Sequence, residues 1–309
     1  MKTNANVNIK LTADKTCPGF KTTSGQTLTM DLGGKILTLA DPTVGSTGTE
    51  TNSCQLLEGS NVTFKNGTLK SDNNKIMIQN YCNLTLDNMT VEDTNAQYVV
   101  SNNCGNISIN NTTINAGSNA NQFAFDVCGY AKYTAGVTVT VSGTSVINGK
   151  VEISKSAGNT ELMKLNITSG TFNGDLKVDA SVGTENAQSI ISVSGGTFSD
   201  PSVLKYMATN ATVDIKLLSN INIAKTELAT GYILNAANAT ANLNLNGHDI
   251  INSSETADAT PFTQIFTVQN GTLNISGNGN VKCDASATAK DDGCLLYTSP
   301  SPRDGLLSR

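Results

Sequence analysis

One short pattern recurs through residues 56–200 and restricts the fold more than any other feature of the chain. An apolar residue is followed by four small or polar residues, usually including Thr, and then by a second apolar residue. The first apolar position is Phe64, Leu86, Ile109, Val141, Ile167 and Val193; the second is Leu69, Val91, Ile114, Val146, Phe172 and Phe198. Asn and Gly dominate the gaps, and both tolerate positive φ, so each gap predicts a sharp bend between two strands. Successive bends lie 22, 23, 32, 26 and 26 residues apart. A period of that length belongs to stacked repeat units rather than to an ordinary globular core.

Within each unit the alternation is strand-like, as in Asn61-Val62-Thr63-Phe64 and Asn83-Leu84-Thr85-Leu86, with apolar residues at every second position. The repeats divide into coils at 56–75, 76–97, 98–122, 123–149, 150–174 and 175–200. Several short strands per coil without crossover helices predict an all-β fold, a right-handed parallel β-helix or solenoid, because parallel connections are overwhelmingly right-handed. The two apolar positions of each bend would then form two interior ladders of like residues. An array of antiparallel sandwich strands is the second reading; it explains the alternation but not the single recurring bend.

The pattern stops at Asp200. Asp200-Pro201-Ser202 is a helix start, with Asp as cap and Pro at the first helical position, and predicts one short helix near 201–208. A second start follows. Val213-Asp214-Ile215-Lys216-Leu217 echoes Val7-Asn8-Ile9-Lys10-Leu11, the stretch from Leu243 to His248 echoes Met30 to Lys35, and Val268 to Leu273 echoes Phe64 to Leu69. The expected organisation is a β-helix module over 1–200, then a short helix and the beginning of a second, truncated module over 201–293.

Residues 294–309 (CLLYTSPSPRDGLLSR) break from this composition and resemble the in-frame translation of a sequencing adapter. They are expected to be a non-native tail. Both arginines, Arg303 and Arg309, lie within it, which leaves 18 lysines against 24 acids in residues 1–293. That acidic balance, with no basic stripe, excludes nucleic acid as an expected partner. No apolar run approaches spanning length, so no membrane insertion is expected. Residues 1–10 lack the apolar core of a secretory signal, which fits either a protein not exported by that route or a start cut from a longer chain.

The strands Leu243-Asn244-Leu245-Asn246-Gly247-His248-Asp249-Ile250 and Ile191-Ser192-Val193-Ser194-Gly195-Gly196-Thr197-Phe198 resemble those of the pectate-lyase-like β-helix superfamily. The resemblance is narrower still to repeat proteins of gut bacteria and their phages, and it covers most of 7–284. It implies the fold and surface display, not an activity. Lyases of that superfamily use a basic residue, often Arg, with acids holding Ca²⁺, and residues 1–293 contain no Arg.

Chemistry-bearing residues are sparse. Asp72, Asp87, Glu92, Asp93 and Asp126 are the nearest acidic cluster, a candidate Ca²⁺ or catalytic face if adjacent coils align them. A solvated turn face is the blander reading. His248, the only histidine, is expected as a solvent-facing turn residue. Cys54, Cys82, Cys104 and Cys128 lie about one coil apart and show no Cys-x-x-Cys pair, so they are expected as thiols rather than disulfides or zinc ligands. The longest coil, 123–149, gains its length at Gly129-Tyr130-Ala131-Lys132-Tyr133. Tyr130, Lys132 and Tyr133 are candidate carbohydrate-binding residues, since loops carry function and tyrosine suits sugar stacking.

The expected function is a non-enzymatic structural or adhesive surface-display protein, a phage virion appendage or decoration protein. No cofactor is expected apart from Ca²⁺ at the acidic cluster. The expected partner is a surface polysaccharide or host-surface receptor, with homotrimer formation as in phage fibres. The alternatives are a secreted or cell-surface bacterial adhesin and a carbohydrate-active enzyme, a polysaccharide lyase or glycosidase.

Overall fold

A computed structural model of the chain describes residues 4–41, 44–45, 52–72, 75–223, 231–252, 264–283 and 294–298. The fold is all-β, built from parallel sheets, and it divides into two compact units, Met1–Ser192 and Val193–Arg309. In the first unit the chain alternates between two parallel sheets. One sheet carries Asn6–Lys10, Thr27–Ala40, Asn61–Lys70 and Asn83–Asp93 as successive rungs, continued by Gly105–Asn110, Val137–Ser142 and Met163–Ile167. The other carries Phe20–Thr22, Asn52–Leu56, Ile76–Asn80, Tyr98–Asn102, Phe123–Gly129, Lys150–Lys155 and Leu176–Val178 in that order. The isolated bridge between Val44 and Asn52 is the antiparallel exception among the described residues.

Like residues meet across the rungs. Phe64 faces Leu86, Leu86 faces Ile109, Ile109 faces Val141 and Val141 faces Ile167, and each of these side chains is fully buried. The second column follows the expectation for Leu69, Val91 and Ile114, then departs from it. Ile114 pairs with Ile147, not Val146, and Ile147 pairs with Phe172. The gap there is one residue longer because Ser145 turns inward, where its Oγ donates to the Ser142 carbonyl at 2.6 Å and accepts from the Thr112 N–H at 3.1 Å.

The bends are where the backbone takes its unusual conformations. Asn66, Asn88 and Asn111 have φ of 59°, 55° and 48°, and Gly143, Gly170 and Gly196 follow at 66°, 111° and 117°. The first four stand second in their gaps and the last two third, so the left-handed residue moves by one position. Beyond about +100° an asparagine is no longer accommodated and glycine takes over.

Asparagine also ties the rungs together. Asn88 Nδ2 donates to Asn66 Oδ1 and Asn66 Nδ2 to Asp31 Oδ1, both at 3.1 Å. Asn173 donates to Asn148 and Asn148 to Asn115, each at 2.8 Å, and Asn115 to Glu92 at 3.4 Å. Asn110 donates to Asp87 at 2.8 Å. A rung repeat of about 4.8 Å suits one amide-to-amide bond per step. Inside the unit, the buried Asn80 donates to Asn102 Oδ1 at 2.9 Å and to the Cys82 carbonyl at 3.0 Å.

One helix of the first unit goes unannounced by the repeat. Thr184–Ile190 is α-helical and lies inside the coil expected to be strand alone, with Ala187 fully buried.

In the second unit, Val193 makes a parallel bridge with Met207, and its carbonyl accepts from the Ala208 N–H at 2.8 Å. The expected short helix is a 3₁₀ helix, Pro201–Tyr206, capped as anticipated by the Asp200 side chain accepting from the Ser202 N–H at 2.7 Å. Parallel rungs Thr212–Lys216, Tyr232–Asn244 and Gln264–Ser276 follow, beside a three-stranded parallel sheet of Ile221–Ile223, Ile250–Asn252 and Val281–Cys283.

The first two echoes hold in register: Ile9 faces Met30 as Ile215 faces Leu243. The third does not, because Met30 faces Phe64 whereas Leu243 faces Ile275 and Val268 faces Leu234. The Asn270-Gly271 bend stacks instead on a bend at Asn238, and a Cβ on Gly271 would lie 2.8 Å from the Ala236 carbonyl oxygen. Cys294–Thr298, expected to be foreign to the fold, runs as a strand parallel to Gln264–Ser276. The rest of that tail, residues 299–309, lies outside the described residues.

Candidate functional site

Tyr130, Lys132 and Tyr133 stand on the turn that follows Phe123–Gly129. The turn is closed by the Tyr133 N–H donating to the Tyr130 carbonyl at 2.9 Å. The turn at Ser156 pins it: the Ala131 N–H donates to Ser156 Oγ and the Ser156 N–H to the Gly129 carbonyl, both at 2.8 Å. The loop is thereby a fixed platform rather than a free excursion.

Tyr130 is 44% exposed, the largest exposure of an aromatic side chain among the described residues, and Lys132 projects into solvent. Tyr133 packs between Tyr130, at 5.9 Å between ring centroids, and Tyr81, at 4.8 Å with the planes inclined by 48°. The Lys132 ammonium lies 5.9 Å from the Tyr133 centroid, within reach of a cation–π contact. Tyr81 is the member sequence reasoning missed. Its signal is positional: Tyr81 directly follows Ile76–Asn80 as Tyr130 directly follows Phe123–Gly129, so both begin the same turn of their coils.

Partial burial pushes the Tyr81 and Tyr133 phenols up, Tyr81 the more strongly. The interaction between the Tyr81 and Tyr133 hydroxyls adds to the rise of Tyr81 and opposes that of Tyr133. Glu58 supplies a negative field at Tyr133 and at Cys104.

The five candidate acids lie in three different settings. Asp87 belongs to the amide ladder on one side of a bend, and Glu92 to another ladder beyond it. Asp93, the next residue, points inward and accepts from the Asn95 and Ala96 N–H groups at 3.0 and 2.9 Å. Burial, opposed by those bonds, pushes it up to about 6. Asp72 is exposed near Asp93, whose carboxyl it pushes up further.

Asp126 lies on the other sheet, 4% exposed, with its oxygens taken by the Asn102 N–H and by Ser101 Oγ at 3.2 Å. Burial pushes it up to about 8, and Glu152, its partner on the next rung, adds to this. Glu152 accepts from the Tyr98 hydroxyl at 2.7 Å, and the Tyr98 ring stacks on Phe123 at 5.2 Å. Among the described residues no group of three or more His, Cys, Asp or Glu side chains could hold a metal ion. His248 is half-buried in a turn closed by its N–H to the Leu245 carbonyl at 2.8 Å.

An open groove of about 420 Å³ lies elsewhere in the first unit, beside Asn148 and Asn173, with Lys150 and Asp175 also lining it. Gly149 and Gly174 form its floor, where a Cβ on Gly174 would meet the Gly149 oxygen at 2.3 Å.

Cys17, Cys54, Cys82, Cys104 and Cys128 are free thiols, as expected for the four central ones. Burial pushes Cys82 up to about 11 and Cys104 and Cys128 up to about 12. Because the thiolate is the reactive form, Cys54, Cys82 and Cys104 are expected to resist a disulfide reagent at pH 8 and to react fully in denaturant. A thiol titration of native protein checks this, and fast reaction of all three would refute it. Searches of family models, curated proteins and solved structures returned no match for this chain. No helix among the described residues is long and apolar enough to cross a membrane.

Proposed function

We propose that the chain is a right-handed parallel β-helix acting as a non-enzymatic, adhesive surface-display module, of the kind carried on virion appendages, and that it binds carbohydrate through Tyr81, Tyr130 and Tyr133. Parallel rungs in both units, stacked like residues and right-handed crossovers as the general rule support the β-helix. The resemblance of its 191–198 and 243–250 strands to repeat proteins of gut bacteria and phages supports display. The observation that carries the binding role is the tyrosine triad. Three phenol rings from two coils converge there, and the turn that carries Tyr130 and Tyr133 is held by Ser156 of the following coil. Aromatic faces with a hydroxyl at the rim suit sugar rings, which present C–H faces and hydroxyl edges.

A catalytic role has less to work with. Asp126 is the candidate acid most displaced in pKa, yet both its oxygens are engaged and it is buried from any ligand. The purified chain is expected to be retained by at least one immobilised bacterial surface polysaccharide, with Tyr130→Ala weakening retention at least tenfold. No new reducing or unsaturated ends should appear on prolonged incubation. Appearance of such ends would overturn the non-enzymatic part, and unaltered retention of the variant would overturn the triad's role.

A further inference from the structure

We infer that the first unit carries a second binding site, sharing no residue with the tyrosine triad: a groove across successive rungs that takes an extended, β-linked glycan chain, one sugar residue to each rung. The groove is open and measures about 380 Å³. Two rows line it, Asn66, Asn88 and Asn111 from the left-handed corners of three bends, and Thr68, Thr90 and Thr113 two residues further on. The residues between the rows keep the space clear. Met89 and Thr112 are buried, at 3% and 0% exposure, and Gly67 has no side chain. It can have none, since a Cβ there would lie 2.5 Å from Leu32 Cβ and 2.6 Å from the Lys35 carbonyl oxygen.

The rows repeat with the rungs. Thr68 faces Thr90 and Thr90 faces Thr113 in register, so the hydroxyls follow one another at about 4.8 Å. Among the described residues none of these three hydroxyls has a hydrogen-bond partner. Each keeps its donor and both acceptor sites. Asn66 and Asn88 spend one N–H apiece on their ladder and keep the other, while Asn111 spends its oxygen on the Thr144 N–H at 3.0 Å and keeps both. Each of the three rungs therefore offers the same pair, a hydroxyl and an amide N–H, and no residue lining the groove is charged.

That lining narrows the ligand by its chemistry and by its step. Nucleic acid needs cations against its phosphates, and none line the groove. An extended peptide advances about 3.3 Å per residue, so its successive residues cannot meet successive rungs alike. An extended chain of β-1,4-linked pyranoses advances by nearly one rung per residue. It carries hydroxyls on both edges of every ring, so each residue reaches one threonine and one asparagine. With no aromatic platform in the groove, binding is shared among the rungs and grows with chain length.

Cello- and chito-oligosaccharides of increasing length, titrated into the full chain and followed by NMR of threonine methyl groups and asparagine side-chain amides, test this. Affinity is expected to rise roughly threefold per residue, each adding about one net hydrogen bond, and to level off once the three rungs are filled. Malto-oligosaccharides, whose α-linked chain curls out of step, should bind roughly tenfold more weakly. Thr68→Val, Thr90→Val and Thr113→Val combined should cost roughly tenfold in affinity. The melting temperature should not change, since valine keeps the shape and no protein hydrogen bond is broken. Tyr130→Ala should leave this binding as it is. Affinity independent of chain length, equal for α- and β-linked chains, or indifferent to the triple variant would overturn the inference. So would absence of shifts at millimolar oligosaccharide in a chain whose circular dichroism is that of strand. Shifts confined to Tyr130 and lost in Tyr130→Ala would overturn it while leaving the triad's role standing.

Discussion

Gly105→Ala is expected to lower the unfolding free energy by about 3 kcal/mol or more, because left-handed strain and overpacking add at one position. Gly105 has φ of 82°, and a Cβ there would lie 2.4 Å from the Cys82 carbonyl oxygen and 2.8 Å from its carbon. The colliding atoms are backbone of the neighbouring rung, itself hydrogen-bonded onward, so neither side can yield without breaking the ladder. Gly34 supplies the control. Its φ is 75°, but nothing lies within 4 Å of the added Cβ, so Gly34→Ala should cost only the conformational penalty of about 1 kcal/mol. Urea denaturation of the two variants measures the difference; equal losses would show that the close approach of rungs contributes nothing at Gly105.

Stability is expected to fall as pH rises through the neutral range, opposite to the usual behaviour of a carboxylate. Asp126, buried and held up to about 8, keeps its proton in the folded chain between about pH 4 and 8, whereas an unfolded aspartate has lost it. The folded state therefore binds more protons than the unfolded state across that window, and by linkage its advantage is full at about pH 4 and is lost by about pH 8. Asp93, held up to about 6, contributes with the same sign over a narrower span. The decline attributable to Asp126 is on the order of a few kcal/mol. Asp126→Asn should flatten the profile and be the more stable form above pH 8, since an amide still accepts from the Asn102 N–H. Chemical denaturation from pH 4.5 to 9 tests this, and parallel profiles for the two proteins would rule Asp126 out as the cause.

The legible part of the fold was the part governed by backbone sterics. Asn66, Asn88 and Gly143 could be read as corners because few residues tolerate positive φ. What escaped was governed by side-chain placement in three dimensions. Ser145 turns inward and shifts the next apolar position from Val146 to Ile147, which a fixed spacing of five cannot express. The helix Thr184–Ile190 is only seven residues long, too short to show a helical period against the strand pattern around it. The acids scatter for a related reason. Asp87 and Glu92 straddle a bend, and Glu92 and Asp93 are adjacent in one strand and so point to opposite sides. Two of the three tyrosines of the aromatic site, Tyr130 and Tyr133, were legible as a loop insertion. Tyr81 was not, because its partners lie two coils further along the sequence.

The asparagine columns carry a sense of direction. A carboxylate can only accept, so Asp31, Asp87 and Glu92 oblige the amide on the next rung to present its N–H₂ downward and its oxygen upward. Each later amide inherits that orientation, and the second unit repeats the device, with Asn242 donating to Asp214 and Asn274 to Asn242. An all-amide column would be indifferent to being inverted. With an acid at its foot, each of these columns is polarised like a row of compass needles, its unspent acceptor facing the later rungs, whereas the buried Asn80, with no acid beneath it, donates the other way to Asn102. In these columns the carboxylate acts as an arrow, giving one sense to a repeat whose units would otherwise look much the same from either end.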